Sequence, residues 1–199
     1  MILTLTEWLL SNEIELLGAI LGILYIIFSI RQNLLTWPTG IITSLLYIVV
    51  FFKSALYAAM GLQVYYVLIS IYGWILWIRG KKENSKSLLP VQFVNRKLWI
   101  KIAAVLFIIY AAILFNLLNF SDSDVPFMDS LTTSLSIVAT WMLAKKYIEH
   151  WIIWIIVDVM SLGLYIYKSL WPTVILFLVY TIMAFFGYFE WKKDLKPEN

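Results

Sequence analysis

An acidic side chain and several aromatic side chains share one face of an apolar segment in the C-terminal third of the chain. The polar and aromatic residues recur there at spacings of three and four, and they are Trp151, Trp154, Asp158, Ser161, Tyr165 and Lys168. These spacings put them on one stripe of an α-helix. A carboxylate supplies negative charge, and two indole rings supply cation–π attraction and stacking. The stripe therefore predicts a binding site for a flat, cationic ligand.

Polar side chains on other segments are candidates to line the same site. Gln63 and Tyr66 lie on the third apolar segment, and a glutamine amide suits an amide, a ribose or an aminopyrimidine because it both donates and accepts hydrogen bonds. For His150, which adjoins Trp151, simple solvation at an interface and contact with the ligand both stay open. The remaining candidates are tyrosines on the second, sixth and seventh segments: Tyr47, Tyr165 and Tyr180. Helix–helix packing is the favoured role for five hydroxyl side chains: Thr43, Ser44, Thr133, Ser136 and Thr140.

These residues lie in a chain whose composition is that of a membrane protein. Hydrophobic residues make up 62% of the 199 residues and charged residues 14%, against about 45–50% and 25% in soluble domains. Hydropathy predicts an all-α integral membrane protein with seven transmembrane helices, over residues 14–30, 38–52, 57–78, 98–118, 127–144, 151–168 and 171–189. A charge at the depth of Asp158 costs about 2.5–3.5 kcal/mol on insertion scales, which favours a functional role for it.

Several chemistries are excluded by what the sequence lacks. The chain has no cysteine and one histidine, which argues against a thiol nucleophile and against a zinc or redox centre. No H-E-x-x-H, G-x-S-x-G or Walker motif is present. The N-terminus has no basic region before an apolar stretch, so we expect no cleavable signal peptide. We therefore expect neither an enzyme nor a bound cofactor or metal.

The distribution of basic residues predicts the orientation in the membrane. If the basic linker at 79–101 is cytoplasmic, 13 of the 15 Lys and Arg residues lie inside, and only Lys53 and Lys168 lie outside. Such a bias sets topology. It predicts an N-terminus outside, a C-terminus in the cytoplasm and an odd number of spans.

Two runs of residues match at an offset of 114 positions. The sequence places Tyr66, Gly73 and Trp77 on the third segment and Tyr180, Gly187 and Trp191 on the seventh. An offset of four helices preserves chain direction, so it predicts two parallel three-helix repeats with the fourth helix as a spacer, a 3+1+3 arrangement. We expect residues 1–80 to form the first repeat, 81–120 the cytoplasmic linker and spacer helix, and 121–199 the second repeat. Transporters built from parallel repeats bind substrate between them near the midplane.

The chain resembles the PnuC family of vitamin transporters. The matching stretches are WPTG (37–40), LQVYYVLISIYGW (62–74), PFMDS (126–130), SIVATWML (136–143), KKYIEHW (145–151), Trp154, LYIYKSLW (164–171) and GYFEWKK (187–193). The resemblance implies a fold related to the SWEET sugar transporters and facilitated diffusion of nicotinamide riboside across a bacterial inner membrane. It also implies that a cytosolic kinase, without stable contact, traps the vitamin. Trp151 and Trp154, with Gln63 and Tyr66, would line the site.

The resemblance leaves the cargo open among related vitamins. Many riboside carriers have Asn at the position of His150, and some relatives have Asn at the position of Asp158. Thiamine, like nicotinamide riboside, is a flat cation, whereas riboflavin is neutral and larger and explains Asp158 less well.

Two other classes of protein explain the sequence less well. A non-transporting membrane scaffold would not need an aspartate at mid-depth beside two tryptophans, and a membrane enzyme would need a nucleophile and a base. The expected partners are a small cationic vitamin and membrane lipid. A second copy of the chain stays open as a partner, and no nucleic acid is expected.

Overall fold

The computed structural model describes residues 13–53, 57–83, 89–167, 169 and 171–195, and these form seven α-helices. The helices are α1 (Glu13–Ile30), α2 (Thr36–Lys53), α3 (Tyr57–Glu83), α4 (Arg96–Phe120), α5 (Pro126–Ala144), α6 (His150–Tyr167) and α7 (Trp171–Lys193). Each predicted segment coincides with one helix, and the ends differ by at most five residues. The largest difference is at the end of α3, because the helix continues through polar residues 79–83 that hydropathy does not count. The expectation about the N-terminus, and the predictions for Lys86, Lys168 and Lys196, lie outside the described residues.

Local chemistry explains where several helices begin and end. The Asn95 side chain accepts a hydrogen bond from the Leu98 backbone N–H at 2.8 Å and so caps the start of α4. Pro126 begins α5, where its missing N–H costs no helical hydrogen bond. Gln32, Lys146 and Ser169 follow α1, α5 and α6 with φ of 50°, 56° and 57°. These left-handed residues end the three helices.

Within the described ranges, four helices are long and apolar enough to cross a membrane, over Met60–Gly80, Arg96–Phe120, His150–Tyr167 and Thr173–Lys193. Shorter apolar stretches lie in α1 and α2, at Leu17–Ile30 and Thr36–Phe52. Large apolar side chains face outward, such as Phe107 at 70% and Phe186 at 66% exposure. An exterior of this kind suits lipid, which is as apolar as a leucine side chain.

Four hydroxyl side chains of α5 are buried, those of Ser130, Ser134, Ser136 and Thr140, and they bond to the helix itself. The side chains of Ser130, Ser136 and Thr140 donate to the backbone carbonyls of Pro126, Thr132 and Ser136 at 2.6, 2.8 and 2.7 Å. Because the hydroxyls are satisfied within the helix, α5 can pack closely against its neighbours. This observation agrees with the packing role that the sequence favours for Ser136.

Six of the helices form a closed ring. Among the described residues, α1 contacts α2, α2 contacts α3, α3 contacts α5, α5 contacts α6, α6 contacts α7, and α7 contacts α1. Helix α4 stands outside this ring and packs against α5 alone. The ring leaves an interior bounded by helices from both halves of the chain.

One end of the ring is closed by tryptophans and by the loop between α5 and α6. The Trp77 indole donates to the carbonyl of Ala144 at 3.1 Å, and the Trp191 indole donates to the carbonyls of Ser29 and Ile30 at 3.0 and 3.2 Å. The segment before α4 crosses the same loop, because Gln92 pairs with the backbone of residues 146 and 148 at 3.1 Å. We call this end of the bundle the basic end, since Arg31, Arg79 and Lys146 also lie there.

Candidate functional site

Two adjoining cavities lie inside the six-helix ring. One has a volume of about 200 Å³ and the other about 210 Å³. They share the lining residues Gly22, Tyr25 and Trp154, so Trp154 stands at the boundary between them. Together they form the space inside the ring that the predicted site residues would line.

The first cavity is mainly aromatic, and we call it the aromatic cavity. It is lined by Gly22, Tyr25, Ile26, Ser29, Leu143, His150, Trp151, Trp154, Asp158, Phe177, Tyr180 and Ala184. Five aromatic rings and the His150 imidazole therefore line the same space as one carboxylate. Ring faces of this kind attract a cation and stack on a flat heterocycle.

Asp158 is the acidic group of the aromatic cavity. It is 4% exposed, and neither a hydrogen bond nor an ion pair joins its carboxylate to another side chain in the described part of the chain. A buried charge is stable only when it is paired or hydrogen-bonded. A cation in the cavity would therefore be a charge partner for this carboxylate.

The two tryptophans of the sixth predicted span have different surroundings. Trp151 is 3% exposed, and its ring meets the ring of Trp191 edge-on at 5.8 Å and 88°. It also lies against Gly187, where an added Cβ would come within 2.5 Å of the indole. Trp154 is only half-buried and borders both cavities. Trp154 therefore offers an open ring face, whereas Trp151 is held as part of the cavity wall.

His150 is fully buried at the basic end of the aromatic cavity. Its Nδ1 lies 2.7 Å from the Tyr147 carbonyl oxygen, so this nitrogen carries the proton that it donates to the carbonyl. In the described chain its Nε2, like the indole nitrogen of Trp151, has no hydrogen-bond partner. Both groups are unsatisfied polar atoms in the wall of the cavity, which is uncommon in a folded protein.

The second cavity is lined mainly by polar side chains, and we call it the polar cavity. Its lining residues are Gly22, Tyr25, Gly40, Thr43, Ser44, Tyr47, Gln63, Tyr66, Ser70, Thr140 and Trp154. Thr43, Ser44 and Thr140, for which the sequence favours a packing role, thus border a cavity. Several hydroxyls and one amide provide donors and acceptors that suit a sugar.

The two cavities are built from positions that are 114 residues apart. The pairs are Gly40 and Trp154, Ser44 and Asp158, Gln63 and Phe177, Tyr66 and Tyr180, Ser70 and Ala184, and Thr140 and Ile26. In each pair but that of the two tyrosines, a small or polar residue in the polar cavity corresponds to an aromatic, acidic or apolar one in the aromatic cavity. The same framework therefore carries two different chemistries.

Eight of the nine predicted substrate-binding residues border these cavities. The aromatic cavity holds His150, Trp151, Trp154, Asp158 and Tyr180, and the polar cavity holds Tyr47, Gln63 and Tyr66. Tyr165 borders neither cavity. Its ring packs on that of Phe177 at 4.9 Å, so it lies behind the cavity wall.

The sequence prediction misses the contribution of α1. Gly22 and Tyr25 border both cavities, and Ser29 borders the aromatic one. Because Gly18 and Gly22 have no side chain, tyrosine hydroxyls approach the α1 backbone closely. The hydroxyl of Tyr47 does so at Gly18 and that of Tyr180 at Gly22. A signal exists in the sequence, because Tyr25 is the one polar side chain in the apolar run 16–28 and follows two glycines spaced by four.

Comparisons with known proteins agree on one family. The family model for the nicotinamide mononucleotide transporter matches residues 12–193. The nicotinamide riboside transporter PnuC of Escherichia coli K12 is 27% identical over 89% of this chain and 84% of its own. The riboflavin/roseoflavin transporter RibM of Streptomyces davaonensis is 25% identical over 92% of this chain and 88% of its own. The crystal structure of the vitamin B3 transporter PnuC superimposes with a TM-score of 0.73 at 22% identity, covering 92% of this chain and 81% of that one, which establishes a shared fold.

Proposed function

We propose a cargo and a transport route for this chain, which belongs to the nicotinamide mononucleotide transporter family of membrane proteins. The proposed cargo is nicotinamide riboside, the substrate named for relatives such as that of Escherichia coli. The observation that carries the proposal is the unpaired, buried carboxylate of Asp158 in a cavity of aromatic rings.

The two cavities match the two parts of this cargo. The pyridinium ring is flat and positively charged, so it would stack on Trp154 while its charge lies near Asp158. The ribose would enter the polar cavity, where Gln63 and Tyr66 offer hydrogen-bond donors and acceptors. A bound cation would supply the charge partner that Asp158 otherwise lacks.

Thiamine is the second candidate cargo, because it is also a flat cation and carries an aminopyrimidine. Riboflavin is a weaker candidate although a riboflavin transporter is similar to this chain. Its ring system is neutral, and it would leave the Asp158 carboxylate buried and unpaired, which is costly. The charge of Asp158 is thus the feature that separates the cationic cargoes from the neutral one.

For the architecture, we propose two parallel three-helix repeats separated by α4, in the manner of the SWEET transporters. The support is structural equivalence at the offset of 114. Trp37 lies against Gly73 as Trp151 lies against Gly187. The ring of Trp37 meets that of Trp77 at 5.1 Å and 87°, and Trp151 meets Trp191 at 5.8 Å and 88°.

The same equivalence extends to the first helix of each proposed repeat. Trp77 donates to the carbonyl that ends α5, and Trp191 donates to the carbonyls that end α1. Gln32 and Lys146, again 114 apart, follow these helix ends with left-handed φ angles. The third helix of each half therefore holds the first helix of the other, which supports residues 1–80 and 121–199 as the repeats and 81–120 as the linker and spacer.

A polar network closes the basic end, and we call it the Lys146 latch. The Lys146 ammonium donates to the Gln32 side-chain oxygen at 2.6 Å, and the Gln32 amide nitrogen donates to Asp194 at 2.7 Å. The same ammonium lies 4.6 Å above the centre of the Trp77 ring. Lys146 has no exposed surface. The latch lies three residues beyond Ser29 and Leu143 of the aromatic cavity, so cargo leaving by this end requires it to open.

The proposed route is alternating access, in which one repeat rocks against the other around the two cavities. The distribution of Lys and Arg supports an orientation with the N-terminus outside and the basic end in the cytoplasm of a bacterium. We propose facilitated diffusion with trapping by a cytosolic kinase. Among the described residues, Asp158 is the one acidic side chain that borders either cavity, so none of them supplies a second carboxylate to bind a coupling ion.

Substitution of Trp154 tests the assignment of the site. Trp154→Ala should abolish saturable uptake of labelled nicotinamide riboside by cells, because the open ring face is lost. Trp99→Ala is the matched control, since Trp99 lies on α4 and is 38% exposed. Equal expression of both variants would be checked in membranes. Uptake by Trp154→Ala at the level of the control would contradict the site, and a non-transporting scaffold would show no saturable uptake in any variant.

A further inference from the structure

Helices α3 and α4 enclose an apolar groove with α5. Both helices pack against α5, and in the described residues they do not pack against each other. The groove has a volume of about 420 Å³ and is lined by Tyr65, Ile69, Leu98, Lys101, Ile102, Val105, Ile109, Ile137, Val138 and Trp141. None of these residues borders the aromatic or the polar cavity. The groove is therefore separate from the proposed transport site.

The groove has the chemistry and the length of a site for one hydrocarbon chain. The hydroxyl of Tyr65 is already used, because it donates to the Ile137 carbonyl at 2.7 Å. From Leu98 to Ile109 the groove follows α4 for about 16 Å, at 1.5 Å per residue. That length is about half of the roughly 30 Å hydrocarbon core, so the groove lies within one leaflet.

The groove opens at Lys101 into a basic surface depression. This depression has a volume of about 440 Å³, is lined by Asn95, Arg96, Lys97, Leu98 and Lys101, and shares Leu98 and Lys101 with the groove. The three cationic side chains are exposed, and none of them forms an ion pair with a described residue. Trp99, at 38% exposure, lies at the same level and is typical of the membrane interface.

We propose that this groove and depression together bind one anionic phospholipid. An acyl chain lies between α3 and α4, and the phosphate lies among Arg96, Lys97 and Lys101. The two parts of the site match the two parts of such a lipid. The apolar groove suits the acyl chain, and the unpaired basic side chains at its mouth suit the phosphate. In the described residues α3 and α4 have no direct contact. The bound acyl chain lies between them and so fixes the position of α4.

The test is lipid binding to the purified full-length protein in detergent, measured by native mass spectrometry. Phosphatidylglycerol and phosphatidylcholine with identical chains are compared. Because each basic residue near a membrane surface contributes about fivefold to the binding of an anionic lipid, the triple change of Arg96, Lys97 and Lys101 to Gln should weaken phosphatidylglycerol binding by about 100-fold. The matched control changes Lys192 and Lys193 to Gln at the exposed end of α7. It should bind as the wild type does.

A second pair of variants tests the acyl-chain half of the site. Val105→Trp and Ile109→Phe fill the groove, and each should reduce retention of phosphatidylglycerol at least tenfold without removing a charge. Equal retention of both lipids by the wild type would overturn the proposal, as would full binding by the triple variant or by both groove-filling variants. Competition by inorganic phosphate as effective as that by the lipid would also overturn it, because the chain would then contribute nothing.

Discussion

Replacing Lys146 by methionine should make the protein more stable and slow its transport. Lys146 lies in the loop between α5 and α6, where burial lowers the pKa of the ammonium from 10.5 to about 8, and the carboxylate of Asp194 partly opposes this by raising it. A pKa of about 8 instead of 10.5 means that the closed latch disfavours the charged form by about 3 kcal/mol relative to water. When the basic end opens, the ammonium regains its hydration. Methionine has a similar length and no charge to hydrate, so it favours the closed state.

The size of the effect follows from that difference. A shift of about 3 kcal/mol toward the closed state would lower the population of the open state by up to about 100-fold. Lys146→Met should therefore raise the thermal unfolding temperature by several degrees and reduce the rate of nicotinamide riboside uptake at least tenfold. Gln32→Ala should lower the stability instead. The buried Lys146 ammonium loses a hydrogen-bond partner, at a cost of about 1–3 kcal/mol.

The assay pairs uptake into proteoliposomes with thermal unfolding in detergent. The matched control is Lys145→Met, because Lys145 is the preceding residue, is only half-buried and lies 5.4 Å from the Tyr72 ring centre. The control should retain wild-type uptake and stability. Wild-type uptake by Lys146→Met, or a lower unfolding temperature, would refute the reasoning.

The pH dependence of the wild type gives an independent check on the same residue. Between pH 8 and 10.5 the closed state holds fewer protons on Lys146 than the open or unfolded state. Stability of the closed state should therefore rise with pH across this window and be constant below it, and uptake should fall across the same window. Lys146→Met should lose this dependence.

Two further substitutions test the site and its packing. Asp158→Asn keeps the shape of the side chain and removes its charge, so affinity for nicotinamide riboside, measured by calorimetry, should fall about 10- to 100-fold; unchanged affinity would exclude a charge contact. Gly187→Ala should destabilise the protein by about 1–3 kcal/mol, because the added Cβ would meet the Trp151 ring within 2.5 Å. Gly163→Ala is the control, since an added Cβ there would meet no atom within 4 Å beyond the adjoining backbone of its own helix. It should be neutral or slightly stabilising, and equal melting of the two alanine variants would contradict the packing argument.

Much of the fold could be predicted from the sequence because membrane helices are selected by one property. Hydropathy locates all seven described helices, four of which are long and apolar enough to cross a membrane. The offset of 114 also pairs Trp77 with Trp191. Each of these indoles donates to a carbonyl at the end of a helix in the other half of the chain. The candidate residues on α6 could be predicted because Asp158 places a charge deep in an apolar helix. Few positions in a membrane protein tolerate such a charge.

The remainder depends on contacts that are distant in sequence. The contribution of Tyr25 requires the contact of α7 with α1, which closes the ring and is not encoded by local spacing. Tyr165 shares a helical stripe with Asp158, yet the position of Phe177 puts it behind the wall. Counting charges along the sequence predicts that Lys146 is one more cation at the membrane interface. Its burial depends on Gln32, which approaches it from across the bundle.

The most direct test of the proposed function is a fluorescence titration of the purified protein with nicotinamide riboside, thiamine and riboflavin. We predict saturable quenching of tryptophan emission by nicotinamide riboside, since a pyridinium ring stacked on Trp154 would quench it, and loss of that quenching in Trp154→Ala. Weaker quenching by thiamine than by nicotinamide riboside would favour the riboside as the cargo, and riboflavin should not bind. Saturable quenching by riboflavin with none by nicotinamide riboside would contradict the assignment of a cation to Asp158.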